Sequence, residues 1–294
     1  MKSQADSIRR IGLIANPEKS RTALLVRRAA RILIGLKRTV VFDPDTARLC
    51  DHELPAAESL ESVVRSVDLI LVFGGDGTML RIARQVAGLA VPILGVNVGN
   101  LGFLTSISPE KLAIALRRIL AGHYSYDDRA LLEASIQRGP EKQVQIALND
   151  FVLSRGASSR LIEVEVSVNG ERLTRYRCDG LIASSPTGST AYSLAAGGSI
   201  VSPDAEVLTL TPICPHTLSI RPVVVSLAST VRVQLLSPRV MATLAADGQQ
   251  QTELSTGDTV SIRRSPKSVR LLRPHGTSFF STLRQKFGWS GGKV

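Results

Sequence analysis

The sequence predicts an α/β N-terminal domain with a parallel sheet, joined to a mostly β C-terminal domain. Three observations carry this. The chain has 294 residues, longer than one average domain. Strand-like and helix-like segments alternate as far as Ala121, the pattern of a parallel sheet covered by helices. From His123 onward the segments are short, β-branched and often alternating, with Gly, Pro, Asn and Ser between them.

In the first half, Ile11–Ala15 reads as a buried strand and Asn16-Pro17-Glu18 as the loop after it. Ser20–Lys37 has apolar residues at helical spacing. Thr39–Phe42 is the second strand, Ala56–Arg65 a helix, Leu69–Phe73 the third strand and Thr78–Val86 a helix. Val91–Val96 is the fourth strand, and Pro109–Ala121 a helix with proline near its start. In the second half, Gln143–Leu153, Leu161–Val168, Val223–Leu227, Val231–Leu236 and Val240–Ala246 read as β. Ser278–Phe287 is helix-like and is expected to pack back on the first domain. The expected domains are residues 1–122, 123–275 and a closing helix in 276–294. There are no internal repeats and no low-complexity linker.

Composition narrows the function. Hydrophobic content of 44% and charged content of 21% are those of a globular protein. Aromatic content of 4% argues against base-stacking platforms. The apolar stretches are short and broken by charges, so no transmembrane helix is expected, and the first residues do not read as a signal peptide. Cys50, Cys178 and Cys214 form no metal pattern and no disulfide framework, which favours a reduced, cytoplasmic setting. The net charge of +11 gathers past Asp258, in Arg263, Arg264, Lys267, Arg270, Arg273, Arg284, Lys286 and Lys293. A solvated basic face explains this, and anionic small-molecule substrates would profit from the field; a nucleic-acid partner is not expected.

Four segments carry chemistry. Gly74-Gly75-Asp76-Gly77-Thr78 follows an apolar strand directly. Glycines there let backbone approach phosphate, and the next helix N-terminus adds a favourable dipole. The loop is neither a Walker A sequence nor the Gly-x-Gly-x-x-Gly fingerprint. Asp76 either serves the chemistry, by holding Mg²⁺ or accepting a proton, or closes an Asx-type turn. Asn97–Phe103 (NVGNLGF) is a second glycine cluster after a strand, a ligand loop or a surface turn. Asn149-Asp150 is a pair able to bond a base edge and sugar hydroxyls, or a turn. Asp179–Ser193 (DGLIASSPTGSTAYS) is rich in hydroxyls and reads as a binding loop rather than a linker, because strand-like and helix-like residues flank it.

Together and in this order, these segments resemble the NAD kinase family. GGDGTML, NVGNLGF, Asn149-Asp150, CDGLIASSPTGSTAYSLAAGGSIVSP, TPICPHTLSIRPVVV, the Asp247-Gly248-Gln249 turn and the terminal SFFSTLRQKFGW carry the likeness, from about Ile11 to Trp289. Lipid kinases and phosphofructokinases share GGDGT-like loops but not the long central motif. The resemblance implies phosphoryl transfer from ATP, or inorganic polyphosphate, to the adenosine ribose 2′-hydroxyl of NAD, giving NADP. It implies Asp76 as general base and Mg²⁺ held mainly by phosphates and water. The nucleotide-binding residues it implies are Gly74, Gly75, Gly77, Thr78, Arg81, Asn100 and Phe103 in the first domain. In the second they are Asn149, Asp150, Arg160, Arg177, Asp179, Thr187, Thr190, Ala191, Tyr192, Ser193, Leu194, Ala195 and Gln249. A homo-oligomer, dimer or tetramer, is implied by PHTLSIRP. Two positions depart from the family pattern: Asp150 stands where Glu is usual, and Ser185 where Thr is usual. A cationic Arg177 accompanies preference for NAD over NADH in this family.

Overall fold

The computed structural model describes residues 8–17, 21–50, 56–99, 102–156, 160–217, 219–238 and 240–289. The chain forms two compact units, one of residues 1–128 with 269–294, the other of residues 129–268.

The first unit is built on a parallel sheet in the order Ile93–Asn97, Leu69–Gly74, Arg10–Ala15, Thr39–Phe42. Leu69–Gly74 is buried at every position, as expected of a strand covered on both faces. Thr105–Ile107 adds to the outer edge of Ile93–Asn97. Helix Thr22–Gly35 buries Thr22, Leu25, Val26, Ala29, Ala30 and Leu33, one stripe at three- and four-residue spacing, against a core that includes Leu13, Phe42, Leu71 and Phe73. Every strand expected here forms, with ends shifted by a residue or two.

Three local readings need correction. The helix expected over Ala56–Arg65 begins only at Leu60, where Ser59 caps it in a reciprocal capping box, while Ala56 bridges to Phe42. A helix at Pro44–Cys50 was not expected; Pro44 opens it and the buried Asp43 carbonyl accepts the amide of Ala47. Pro109–Ala121 divides into a 3-10 turn, Pro109–Lys111, and an α-helix, Leu112–Leu120.

The closing helix, Phe279–Phe287, has Ser278 as its cap and Gly288 in the left-handed conformation at its end. It belongs to the first unit, as expected. Its Leu283 is buried, and Phe279 and Phe287 approach Phe103 with ring centroids 6.1 and 6.3 Å away.

The second unit is mostly β. One six-stranded antiparallel sheet has the order Val223–Ser226, Val207–Ile213, Gly180–Ser184, Asp150–Ser154, Ala242–Ala246, Gln250–Leu254. Glu171–Cys178, Ile162–Val168, Val231–Leu235 and the first part of Thr259–Pro274 pair antiparallel in another layer. Phe151, Leu153, Leu181, Leu244, Val164, Val233 and Ile262 are in the shared core. The expected single strand Gln143–Leu153 is two, Glu141–Ala147 and Asp150–Ser154; the break at Leu148-Asn149 is where the Asp247 carboxylate takes their amides.

Four of the eight basic residues past Asp258 are held in ion pairs. Arg263 pairs with Glu133, Arg264 with Glu206, Arg270 with Asp128 and Arg273 with Asp127.

Candidate functional site

The first unit supplies the Gly-Gly-Asp-Gly-Thr turn at the carboxyl end of Leu69–Gly74, where open α/β sheets bind ligands. Gly74 has no room for a side chain, because a Cβ there would lie 2.6 Å from Cβ of Thr78. Asp76 is the first residue of helix Asp76–Gln85, where the dipole favours an anion.

The Asp76 carboxylate is not closing a local turn. Its Oδ2 accepts the Phe103 N–H at 2.8 Å and its Oδ1 the Leu104 N–H at 3.0 Å. Those amides are those of the last residue of the second glycine cluster and the residue after it, so the two loops expected at one sheet edge are joined through this carboxylate. Gly102 lies against it closely enough that a Cβ would come within 2.6 Å of Asp76 Cγ. Phe103 is half-buried, with Lys286 Nζ 4.7 Å from its ring centroid. Thr78 is buried, and Arg81 is half-buried one turn further along the helix. Asn100 lies outside the described residues.

In the second unit a polar knot forms where Asp150–Ser154 begins. Ala246-Asp247-Gly248-Gln249 is a tight turn with φ of +50° at Asp247 and +66° at Gly248, closed by Gln249 N–H to Ala246 O at 2.9 Å. The Asp247 carboxylate accepts the amides of Leu148 at 3.1 Å, Asn149 at 2.7 Å and Asp150 at 3.3 Å. Asp150 is 4% exposed, and burial, with the Asp247 charge added, pushes its carboxyl up to about 7. Ser185 donates its hydroxyl to Leu148 O at 2.5 Å and its amide to Asn149 O at 2.8 Å. Gly188 then stacks on Asn149 so closely that a Cβ would lie 2.7 Å from Asn149 Cα. The buried Arg129 donates to Thr187 Oγ1 at 3.0 Å.

The density of hydroxyls therefore has a different use from the one expected. Ser184 and Ser185 bond to backbone carbonyls, Ser189 bonds Pro186 O and Val201 N–H, and Ser193 meets Thr211. They hold the loop's own shape. What the loop presents outward is Tyr192, 48% exposed, with Ala195 exposed and Thr190, Ala191 and Leu194 half-buried beside it.

Asn149, Asp150, Thr187 and Gln249 thus come together. Asp179 and Arg177 do not join them within the unit. Asp150 pairs with Ser184 and Ser154 with Gly180, so Asp179 stands just past the other end of the strand pair, five residues or about 17 Å away along the strand. There Asp179 is bridged to Arg155 at 2.7 Å, while Arg160 and Arg177 are exposed. Asp247, Gly102 and Arg129 are the residues that sequence reasoning passed over. Asp-Gly marked the first as a turn, but nothing in the sequence says which amides its side chain takes.

Comparison with known proteins accords with both halves. The family model of the ATP-NAD kinase N-terminal domain matches residues 11–124, and that of the ATP-NAD kinase C-terminal domain matches residues 148–274. The chain is 43% identical over 295 aligned residues to an NAD kinase of Moorella thermoacetica, covering 97% of this chain and 91% of the relative. It is 40% identical to an NAD kinase of Acinetobacter baylyi, covering 98% and 94%. Among solved structures, yeast NADH kinase complexed with NADH matches with a TM-score of 0.87 at 26% identity, covering 98% of this chain and 90% of the other. An Archaeoglobus fulgidus NAD kinase in complex with ATP matches with 0.73 at 27% identity, covering 95% and 97%. The chain belongs to the NAD kinase family.

Proposed function

We infer that this protein phosphorylates the 2′-hydroxyl of the adenosine ribose of NAD, giving NADP, with ATP or an inorganic polyphosphate as donor and Asp76 as the general base. The observation that carries the reading is the Asp76 carboxylate at the sheet's carboxyl end, fixed by two amides from a second loop. Each oxygen keeps a lone pair beyond its amide bond, so the group is oriented and still able to take a proton from an attacking hydroxyl. Phosphoryl transfer needs alignment and charge neutralisation more than covalent help, and a carboxylate locked in one pose serves the first.

Mg²⁺ fits this reading as an ion brought on the donor's phosphates. Among the described residues no three His, Cys, Asp or Glu side chains form a cage, and Asp76 is the carboxylate suited to complete such an ion's oxygen shell. When bound, the ion would neutralise charge developing on the transferred group.

Asn149 and Asp150 serve as adenosine contacts in this reading, with Tyr192 stacking on a base and Thr190 to Ala195 forming the rim. The amides held by Asp247 and the Gly188 contact support it, because they fix Asn149 before any ligand arrives. We further propose a homo-oligomer, dimer or tetramer, in a cytoplasmic setting; among the described residues no helix is long and apolar enough to cross a membrane.

The test is NADP⁺ formation from NAD⁺, ATP and Mg²⁺ by wild type, Asp76→Asn and Asp76→Ala. Loss of about a hundredfold or more in kcat, with KM for NAD changed little, supports the base. An inactive wild type that still binds dinucleotide would instead identify a sensor.

A further inference from the structure

In the first unit a cavity of about 270 Å³ opens beside the closing helix, lined in part by Asn97, Thr105, Lys111, Arg273, Thr282 and Gln285. Asn97 and Thr105 are each 5% exposed, and neither Asn97 Oδ1 nor Thr105 Oγ1 has a hydrogen-bond partner. A buried polar atom left so is costly, and two on one cavity wall call for an occupant that supplies a donor and takes one. The wall's charges have one sign. Lys111 and Arg273 face it, Arg273 sharing its charge with Asp127 at 3.1 Å, and among the described residues no carboxylate lines it. The first turn of helix Phe279–Phe287 adds the positive end of its dipole through Ser281 and Thr282.

We propose that this cavity is a second ligand site, taking a small hydroxylated phosphate ester, and that its occupancy is felt at Asp76. The phosphate would meet Lys111 and the Thr105 hydroxyl, and a ligand hydroxyl would donate to Asn97 Oδ1. The volume is near the lower end of ligand pockets and far exceeds the ~30 Å³ share of one water. Coupling runs through two consecutive residues. Phe103 also lines the cavity, and its N–H and that of Leu104, next to Thr105, hold the Asp76 carboxylate. A ligand that shifts Thr105 shifts the pair of donors that aims the carboxylate. This coupling, unlike the binding, rests on Asp76 acting as the base.

Calorimetric titration of the full chain with glycerol 3-phosphate, at constant ionic strength and without NAD or ATP, tests the binding. Saturable binding is expected, weakened tenfold or more in both Lys111→Ala and Thr105→Val, and unchanged in Asp76→Ala. Lys111→Ala is expected to keep wild-type turnover without the probe. Saturating probe should change wild-type kcat by twofold or more and leave that of Lys111→Ala unmoved. No saturable binding, or binding undiminished in both variants, overturns the site. Binding at wild-type strength with kcat unmoved overturns the coupling. Because binding is read apart from catalysis, an inert Asp76 would not imitate either result.

Discussion

Gly102 and Asp76, 26 positions apart in sequence, are packed so that a single methyl on the glycine would strike the carboxylate. The carboxylate in turn takes the amides of the next two residues, Phe103 and Leu104. Glycine is required here by proximity to a side chain rather than by φ. Gly102→Ala should therefore fold and still fail. The expected result is a kcat lower by tenfold or more with Tm within a few degrees of wild type, since the unit's core is elsewhere. Wild-type turnover in this variant would show that the pose of Asp76 does not matter.

Asp150 makes stability depend on pH. Its proton is held in the native state up to about 7 but leaves at the ordinary 3.8 in the unfolded chain. Between those values the native state binds more protons, so stability is greatest below about 4 and falls as pH rises to about 7, then levels. The contribution at stake is on the order of 4 kcal/mol. Asp150→Asn mimics the protonated form and should gain on wild type as pH rises from 4.5 to 8. Thermal melts across that range check this; parallel curves for the two proteins would refute it.

Asp247 holds three consecutive amides, and Asp247→Ala would leave two or three of them without an acceptor. A loss of about 2–4 kcal/mol in stability is expected. KM for NAD should also rise tenfold or more, because Asn149 loses its fixed position. Steady-state kinetics with denaturant titration would separate the two effects. A variant that melts lower but keeps KM would make Asp247 structural only.

Leu283 is the buried side chain of the closing helix, whose Phe279 and Phe287 flank Phe103. Leu283→Ala should cost about 2–5 kcal/mol in the first unit. Because Phe103 carries one of the Asp76 amides, kcat should fall together with Tm. Unchanged kcat at a temperature where the variant is folded would count against that link.

Arg177 is exposed on the edge strand Glu171–Cys178, where it pairs with Glu163. NAD⁺ and NADH differ at the nicotinamide ring, and we propose that the large side chain of Arg177 takes part in selecting NAD⁺. Arg177→Gly should move the ratio of kcat/KM for the two by about tenfold toward NADH. A ratio that does not move would remove Arg177 from specificity.

Much of this protein was decided by local sequence. Apolar strands alternating with helical stripes dictate the parallel sheet, since a strand buried on both faces must be continuously apolar and a covering helix need be apolar on one side only. Likewise Asp247-Gly248 dictates a turn, and Ser278 with Ser281 starts a helix, because those preferences are satisfied within a few residues. Even Gly-Gly-Asp-Gly-Thr was legible as a tight glycine turn around one carboxylate at the end of a strand. What only the tertiary structure decided is whom each polar group serves. Asp76 could have closed its own turn but takes amides 27 and 28 residues away, and the serines of Ser184–Ser193 could have faced a ligand but mostly bond the loop itself. Hydrogen bonds and close packing reach a few ångströms in space at any distance along the chain, so the residue types announce donors and acceptors while the fold alone pairs them.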